Sequence, residues 1–199
     1  MSKRTICCRM TPNQIMATSL SVTCQRFADA CNSILAVALK TGEANNIRLH
    51  HATYKATRER FDLSANLTVR AIRRVAAAMV ASKKKGRRPN VFRPTSIDYD
   101  ARIFDYREKD ETVSLTVIGG RIHVPLLLGG FQRTALAGKK PTSATVVRKG
   151  RDWHIHIGIE EADAEPIQGP PMGVDLGIRN TAATSHGTLH DGQARQRFK

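Results

Sequence analysis

ETVSLTVIGGRIHVPLLL, residues 111–128, is the stretch on which the fold turns. Two apolar-rich runs, 112–118 and 121–128, flank Gly119-Gly120, and glycines accept the positive φ angles of a tight hairpin turn. The spacing predicts two antiparallel strands. A second pair follows at 143–148 and 152–160, joined across Lys149-Gly150. SIDYDARIFDY, residues 96–106, is also strand-like. The chain from about 95 to 162 therefore reads as an antiparallel β unit.

Upstream, the apolar period lengthens. Thr11-Pro12 looks like an N-cap followed by proline at the first helical position. From there to about Lys40 apolar residues recur at helical spacing, among them Leu20, Phe27, Cys31, Ile34 and Ala38, and Gly42 ends the run. A second helix is expected over about 48–60, with Tyr54 and a basic face of Lys55, Arg58 and Arg60. A third begins at Ser64, with Leu67, Ile72, Val75, Ala76 and Met79 on one side, and fades into ASKKKGRRPN. Residues 3–10, KRTICCRM, are β-compatible. If that strand joins the later ones in one sheet or barrel, the helices of 11–94 are an insertion between strand one and the rest. The fold class is α+β. EADAEPIQGPPM holds Pro166, Pro170 and Pro171, so 163–171 reads as a linker, and a new strand starts at Gly173.

Composition narrows the function. The 199 residues hold 32 Lys plus Arg against 17 Asp plus Glu, a net charge of +15. Such an excess attracts a polyanion, and nucleic acid is the commonest large one. No basic amphipathic helix with aromatic anchors argues for a membrane surface, and no run reaches the length of a membrane span. MSKRTICCRM has no apolar core of a signal peptide, so a cytoplasmic location is expected. Cys7, Cys8, Cys24 and Cys31 show neither a CxxC nor a Cys/His zinc spacing, and read as reduced thiols.

The charge is unevenly spread. Between Asp62 and Asp98 there is no acidic residue, while Arg70, Arg73, Arg74, Lys83, Lys84, Lys85, Arg87, Arg88 and Arg93 all lie there. Arg70, Arg73 and Arg74, at i, i+3 and i+4, are expected on the helical face opposite the apolar stripe. That geometry tracks a phosphate backbone without reading bases. The plainer alternative is a solvated face, although such faces normally mix both signs.

Two smaller signals stand beside this one. His154 and His156 alternate along one strand and could ligate a metal, but a third ligand is not evident, and a polar face of a half-exposed strand is the favoured reading. Trp153 reads as a core anchor or as a base-stacking platform.

GVDLGIRNTAATSHG, residues 173–187, raises a different chemistry. Val174 and Leu176 flank Asp175, so its carboxylate points away from them. Gly177 permits a tight departure, and Thr181–Thr184 returns alongside. A carboxylate at such an edge suits Mg²⁺, a hard ion that takes oxygen ligands. An incidental polar residue in a hairpin is the alternative.

This stretch resembles the first RuvC motif of the TnpB (OrfB) family of transposon-encoded RNA-guided DNA endonucleases, relatives of the type V CRISPR effectors. The N-terminal strand, the helix with ADACNSILAVA, the segment YKATRERFDLSANLTVRAIRRVA and RKGRDWHIHIGIE also resemble that family's N-terminal half, in order. The resemblance implies a β-barrel wedge-like domain (1–10 and 95–162), a helical recognition-like insertion (11–94), and the start of a ribonuclease H-like nuclease domain (172–199). It implies guide RNA and target DNA as partners, transposition and DNA recombination as the setting, and Mg²⁺ as cofactor with Asp175 the first catalytic carboxylate. Two-metal hydrolysis needs further carboxylates. The family supplies those downstream with a zinc ribbon, and SHGTLHDGQARQRFK matches neither. The expectation is a truncated member, without zinc and inactive as a nuclease by itself. A hairpin of this kind also occurs in actin-like ATPases, which need a long nucleotide-binding body. A stand-alone basic RNA- or DNA-binding module would explain the charge but not the ordered segments.

Overall fold

Alternation decides which way each strand faces. In the computed structural model of the chain, residues 2–162, 169, 171–177 and 180–191 are described, and the chain divides into two compact units, Met1–Ala162 and Asp163–Lys199. The elements of the first unit are β1 (Ser2–Met10), α1 (Gln14–Thr41), α2 (Asn46–Phe61), α3 (Ala65–Lys84), β2 (Ser96–Asp100), β3 (Phe104–Arg107), β4 (Thr112–Val117), β5 (Gly120–Leu127), α4 (Gly130–Leu136), β6 (Ser143–Lys149) and β7 (Asp152–Glu161).

Seven strands form a nearly closed antiparallel barrel in the order β2-β6-β7-β1-β5-β4-β3. The N-terminal strand is central. It pairs with β7 along its whole length, from Ser2 opposite Glu161 to Met10 opposite Trp153, and meets β5 only at Arg9–Leu127 and Met10–Leu126. Ile6, Cys8 and Met10 on β1, and Trp153, Ile155, Ile157 and Ile159 on β7, are buried on one face. Thr5, Cys7 and Arg9 lie on the other. A slip of one residue would exchange the two sets, so burial fixes the register. Trp153 is a core residue, which removes base stacking from its possible roles.

The strand-like run 96–106 is broken in two. Ala101–Ile103 form a turn in which the Ile103 amide donates to the Asp100 carbonyl and the Asp100 carboxylate accepts from Arg102 N–H. Helix α4 is not legible in the sequence. It is short, and Gly129-Gly130 at its start disguises it as a loop.

The helices pack on the barrel end where β2 begins and β4 stops. Thr23 of α1, fully buried, accepts from the Ile118 amide at 2.9 Å, and its hydroxyl donates to the Ser19 carbonyl. Asn13, not Thr11, caps α1. Its side-chain oxygen accepts from the Met16 amide, satisfying a donor that the first helical turn leaves unpaired. Gly42 closes the helix at φ 69°, as its lack of a Cβ permits. Asn45 and Ser64 cap α2 and α3 in the same way as Asn13.

In the second unit β8 (Val174–Asp175), β9 (Asn180–Thr184) and β10 (Leu189–Asp191) make an antiparallel sheet in the order β10-β9-β8. Val174 stands opposite Thr184 and Asp175 opposite Ala183. The strand pair expected around Asp175 is present, and a third strand, unforeseen, lies beyond it. The linker expected over 163–171 lies outside the described residues, Gly169 and Pro171 excepted.

Candidate nucleic-acid interface

Residues 11–94 carry fifteen lysines and arginines against four acids, so most of their cations have no acidic neighbour to pair with. Among the described residues only Arg48 (with Glu43) and Arg74 (with Asp98) are in ion pairs there.

Helix α3 sorts its three central arginines differently from what periodicity suggests. Arg73 is exposed and engages no partner among the described residues. Arg70 is half-buried, and its Nε is buried without a hydrogen-bond partner. Arg74 does not share the solvent face. Its Nε donates to Asp98 Oδ2 at 2.7 Å, its Nη2 lies 2.6 Å from Asp98 Oδ1, and its Nη1 donates to the Ser96 carbonyl. The guanidinium also lies 4.8 Å above the Phe27 ring. Burial by itself would lower its pKa, but the hydrogen bonds and charge of Asp98 outweigh this and hold it above the ordinary arginine value. Arg74 is a brace between α3 and β2, and the expected three-arginine face is corrected to Arg73 with a partly covered Arg70.

At the end of α3 and just past it the cations crowd together. Lys83, Lys84, Lys85, Arg87 and Arg88 are all exposed and have no side-chain partner among the described residues. Lys83 and Lys84 also sit in the last helical turn, where the macrodipole favours positive charge. That accounts for two of the five.

The chain then doubles back. Residues 89–96 run along α3, facing Ala78, Ala81 and Ser82 across a cleft of about 810 Å³. Asn32 of α1 pins this return: its amide donates to the Phe92 carbonyl at 2.9 Å and accepts from the Phe92 amide at 2.8 Å. Exposed Arg93 is thereby held beside the helix.

The return loop meets cations that the sequence pattern does not place there. Arg148 N–H donates to the Thr95 carbonyl, which sets the β6–β7 turn, with exposed Lys149 and Arg151, next to the loop. Arg148 itself is engaged with Ser21 and Gly150 and lies over the Trp153 ring. The signal is present in RKGRDW, but only the β2–β6 pairing brings it to the acid-free segment.

The outer barrel face carries the other candidates. His154 and His156 both point outward, opposite Arg9 and Cys7 of β1. Burial, with Lys149 and His154 adding to it, pushes the His156 imidazole below the usual histidine range. Among the described residues no three His, Cys, Asp or Glu side chains gather to hold a metal ion. Asp175 is exposed on β8 and belongs to no group of three such side chains among the described residues. No helix among the described residues is long and apolar enough to cross a membrane.

Neither the protein-family models nor the curated proteins give a match to this sequence.

Proposed function

We propose that this chain binds nucleic acid through the phosphate backbone, in a transposon-associated setting like that of the TnpB-type RNA-guided endonucleases it resembles. Guide RNA and target DNA are the polyanions that resemblance implies. The observation that carries the reading is the band of cations without side-chain partners among the described residues: Arg73, Lys83, Lys84, Lys85, Arg87, Arg88 and Arg93, extended by Lys149 and Arg151. Cations left unpaired on a folded surface keep their full charge for an external anion, and each phosphate they neutralise releases counterions. Binding of this kind holds a strand without reading its sequence.

The barrel and its helical insertion belong to this reading as a wedge-like and a recognition-like part. The 172–199 segment belongs to it as the opening of a ribonuclease H-like domain, with Asp175 in the place of that family's first carboxylate. One carboxylate cannot hold two metals, so Asp175 alone does not support two-metal hydrolysis.

The test is equilibrium binding of the full chain to labelled RNA and DNA across a salt series. Log affinity falling linearly with log salt, at a slope of several phosphates, is the expected result. Affinity that ignores salt overturns the assignment. Competition by a structured transposon-end RNA in excess of bulk RNA separates the TnpB-like reading from a stand-alone basic module.

A further inference from the structure

A second cleft, of about 920 Å³, lies between the α2–α3 corner and the β4–β5 turn, away from the return loop. We propose that it receives a single unpaired nucleotide extruded from a bound nucleic acid. The proposal rests on the phosphate-binding reading above and adds a separate site to it.

Cations stand on both walls. Lys55 and Arg58 come from the last turns of α2 and Arg121 from the start of β5. All three are exposed and none has a side-chain partner among the described residues. Glu59 and Asp62 line the same space and are equally unpaired, so the five charges do not neutralise one another within 4 Å. Here they remain available to a ligand that carries both signs of hydrogen bonding.

The rest of the lining suits a base. Tyr54 borders the cleft and its ring is backed by His50, stacked at 4.7 Å and 21°. Leu63 and Val117 are buried in the lining and supply apolar surface. The volume falls within the roughly 300–1,000 Å³ of small-ligand sites.

A nucleotide is the ligand class that uses all of this together. Its phosphate takes Lys55, Arg58 or Arg121, its base face takes Tyr54, and its exocyclic amino groups donate to the carboxylates. In a duplex the base faces are stacked and the pairing edges are occupied, so only an extruded or single-stranded nucleotide presents phosphate, face and edge at once. The two carboxylates also repel a continuous duplex backbone, which sets this cleft apart from the cationic band.

The experiment measures anisotropy of two labelled probes with the full chain: a plain duplex, and the same duplex carrying one bulged nucleotide. The wild type is expected to bind the bulged probe about tenfold more tightly, the scale of one base–aromatic stack. Tyr54→Ala should abolish that preference while duplex affinity stays, and Tyr54→Phe should keep it. Because Tyr54 also packs on the core, Arg121→Ala, at an exposed position at the start of β5, is the second variant and should lower bulge affinity more than duplex affinity. Equal affinity for both probes, or variants that weaken both alike, overturns the cleft and leaves the phosphate reading standing. Failure to bind either probe overturns both.

Discussion

Arg74 and Asp98 clasp α3 to β2 at two points, Nε to Oδ2 at 2.7 Å and Nη2 to Oδ1 at 2.6 Å, with both side chains mostly covered. A two-point arginine–carboxylate pair is stronger than a one-point pair because its planar geometry is fixed. Thr145 adds a third bond by donating to Asp98 Oδ1. Removing one partner leaves the other charge buried and unpaired, which costs about 3 kcal/mol in such settings. Arg74→Ala is therefore expected to lower the unfolding free energy by about that much, read as a shift in the urea midpoint. Arg73→Ala, one residue away and exposed, should leave stability within about 0.5 kcal/mol and weaken RNA binding instead. The two neighbouring substitutions thus separate bracing from binding.

The same pair marks where the sequence stops being informative. Periodicity places Arg70, Arg73 and Arg74 on one arc of the helix, and α3 does begin at the Ser64 cap. But the apolar stripe says only what faces the core. It does not say that the first acid after the cation-rich segment, Asp98, comes back alongside on β2 to claim Arg74. The two hairpins are legible because Gly119, Gly120 and Gly150 hold positive φ at their turns. That the N-terminal strand joins the later strands is foreseeable, but its slot between β7 and β5 is not. Strand order depends on long-range pairing that no local pattern encodes. Lys149 and Arg151 escape a sequence reading for the same reason: they are distant along the chain and come near only after β2 pairs with β6.

The cation band is testable by its salt slope. Lys83→Ala, Lys84→Ala and Lys85→Ala combined should reduce the slope of log affinity against log salt by about 0.9 for each duplex phosphate that is no longer neutralised. Adding Lys149→Ala and Arg151→Ala should reduce it further. A second set that changes nothing would confine the interface to α3 and its return loop.

Asp175 offers a different contrast. It is exposed on the small β8–β10 sheet, and no cation of the band belongs to that unit. Asp175→Ala is expected to leave RNA and DNA affinity unchanged at every salt concentration. A loss of affinity would mean that the second unit takes part in the interface directly.

The thiols give a pH signature. Burial pushes Cys8 and Cys24 up to about 11 and Cys31 up to about 12, from 9.0 in an open chain. The neutral thiol is the form the fold accepts, so the unfolded chain loses its protons first. Below pH about 9 both states are protonated and the stability is complete; it falls as pH rises toward the folded values. Each such thiol contributes a slope of at most about 1.4 kcal/mol per pH unit inside that window. The urea midpoint should decline from about pH 9 upward, and less steeply in Cys8→Ala. At neutral pH a thiol reagent should titrate one cysteine, exposed Cys7, in the native protein and all four after denaturation.

Thr23 joins the helices to the barrel by a single oxygen. Its Oγ1 accepts the Ile118 amide at the β4–β5 turn and its proton goes to the Ser19 carbonyl at 2.7 Å. The side chain is fully buried, so no water replaces it. Valine matches threonine in shape but has no acceptor, and the part-buried Ile118 N–H would lose its partner. Thr23→Val is therefore expected to cost about 1–3 kcal/mol despite unchanged volume. Thr23→Ser keeps the oxygen and loses one methyl group, about 1 kcal/mol. A valine variant more stable than the serine variant would show that packing, not this hydrogen bond, holds α1 against the turn. Because the same turn and the start of β5 supply Gly119, Gly120 and Arg121 to the second cleft, the valine variant should also blunt the preference for a bulged duplex, while the serine variant preserves it.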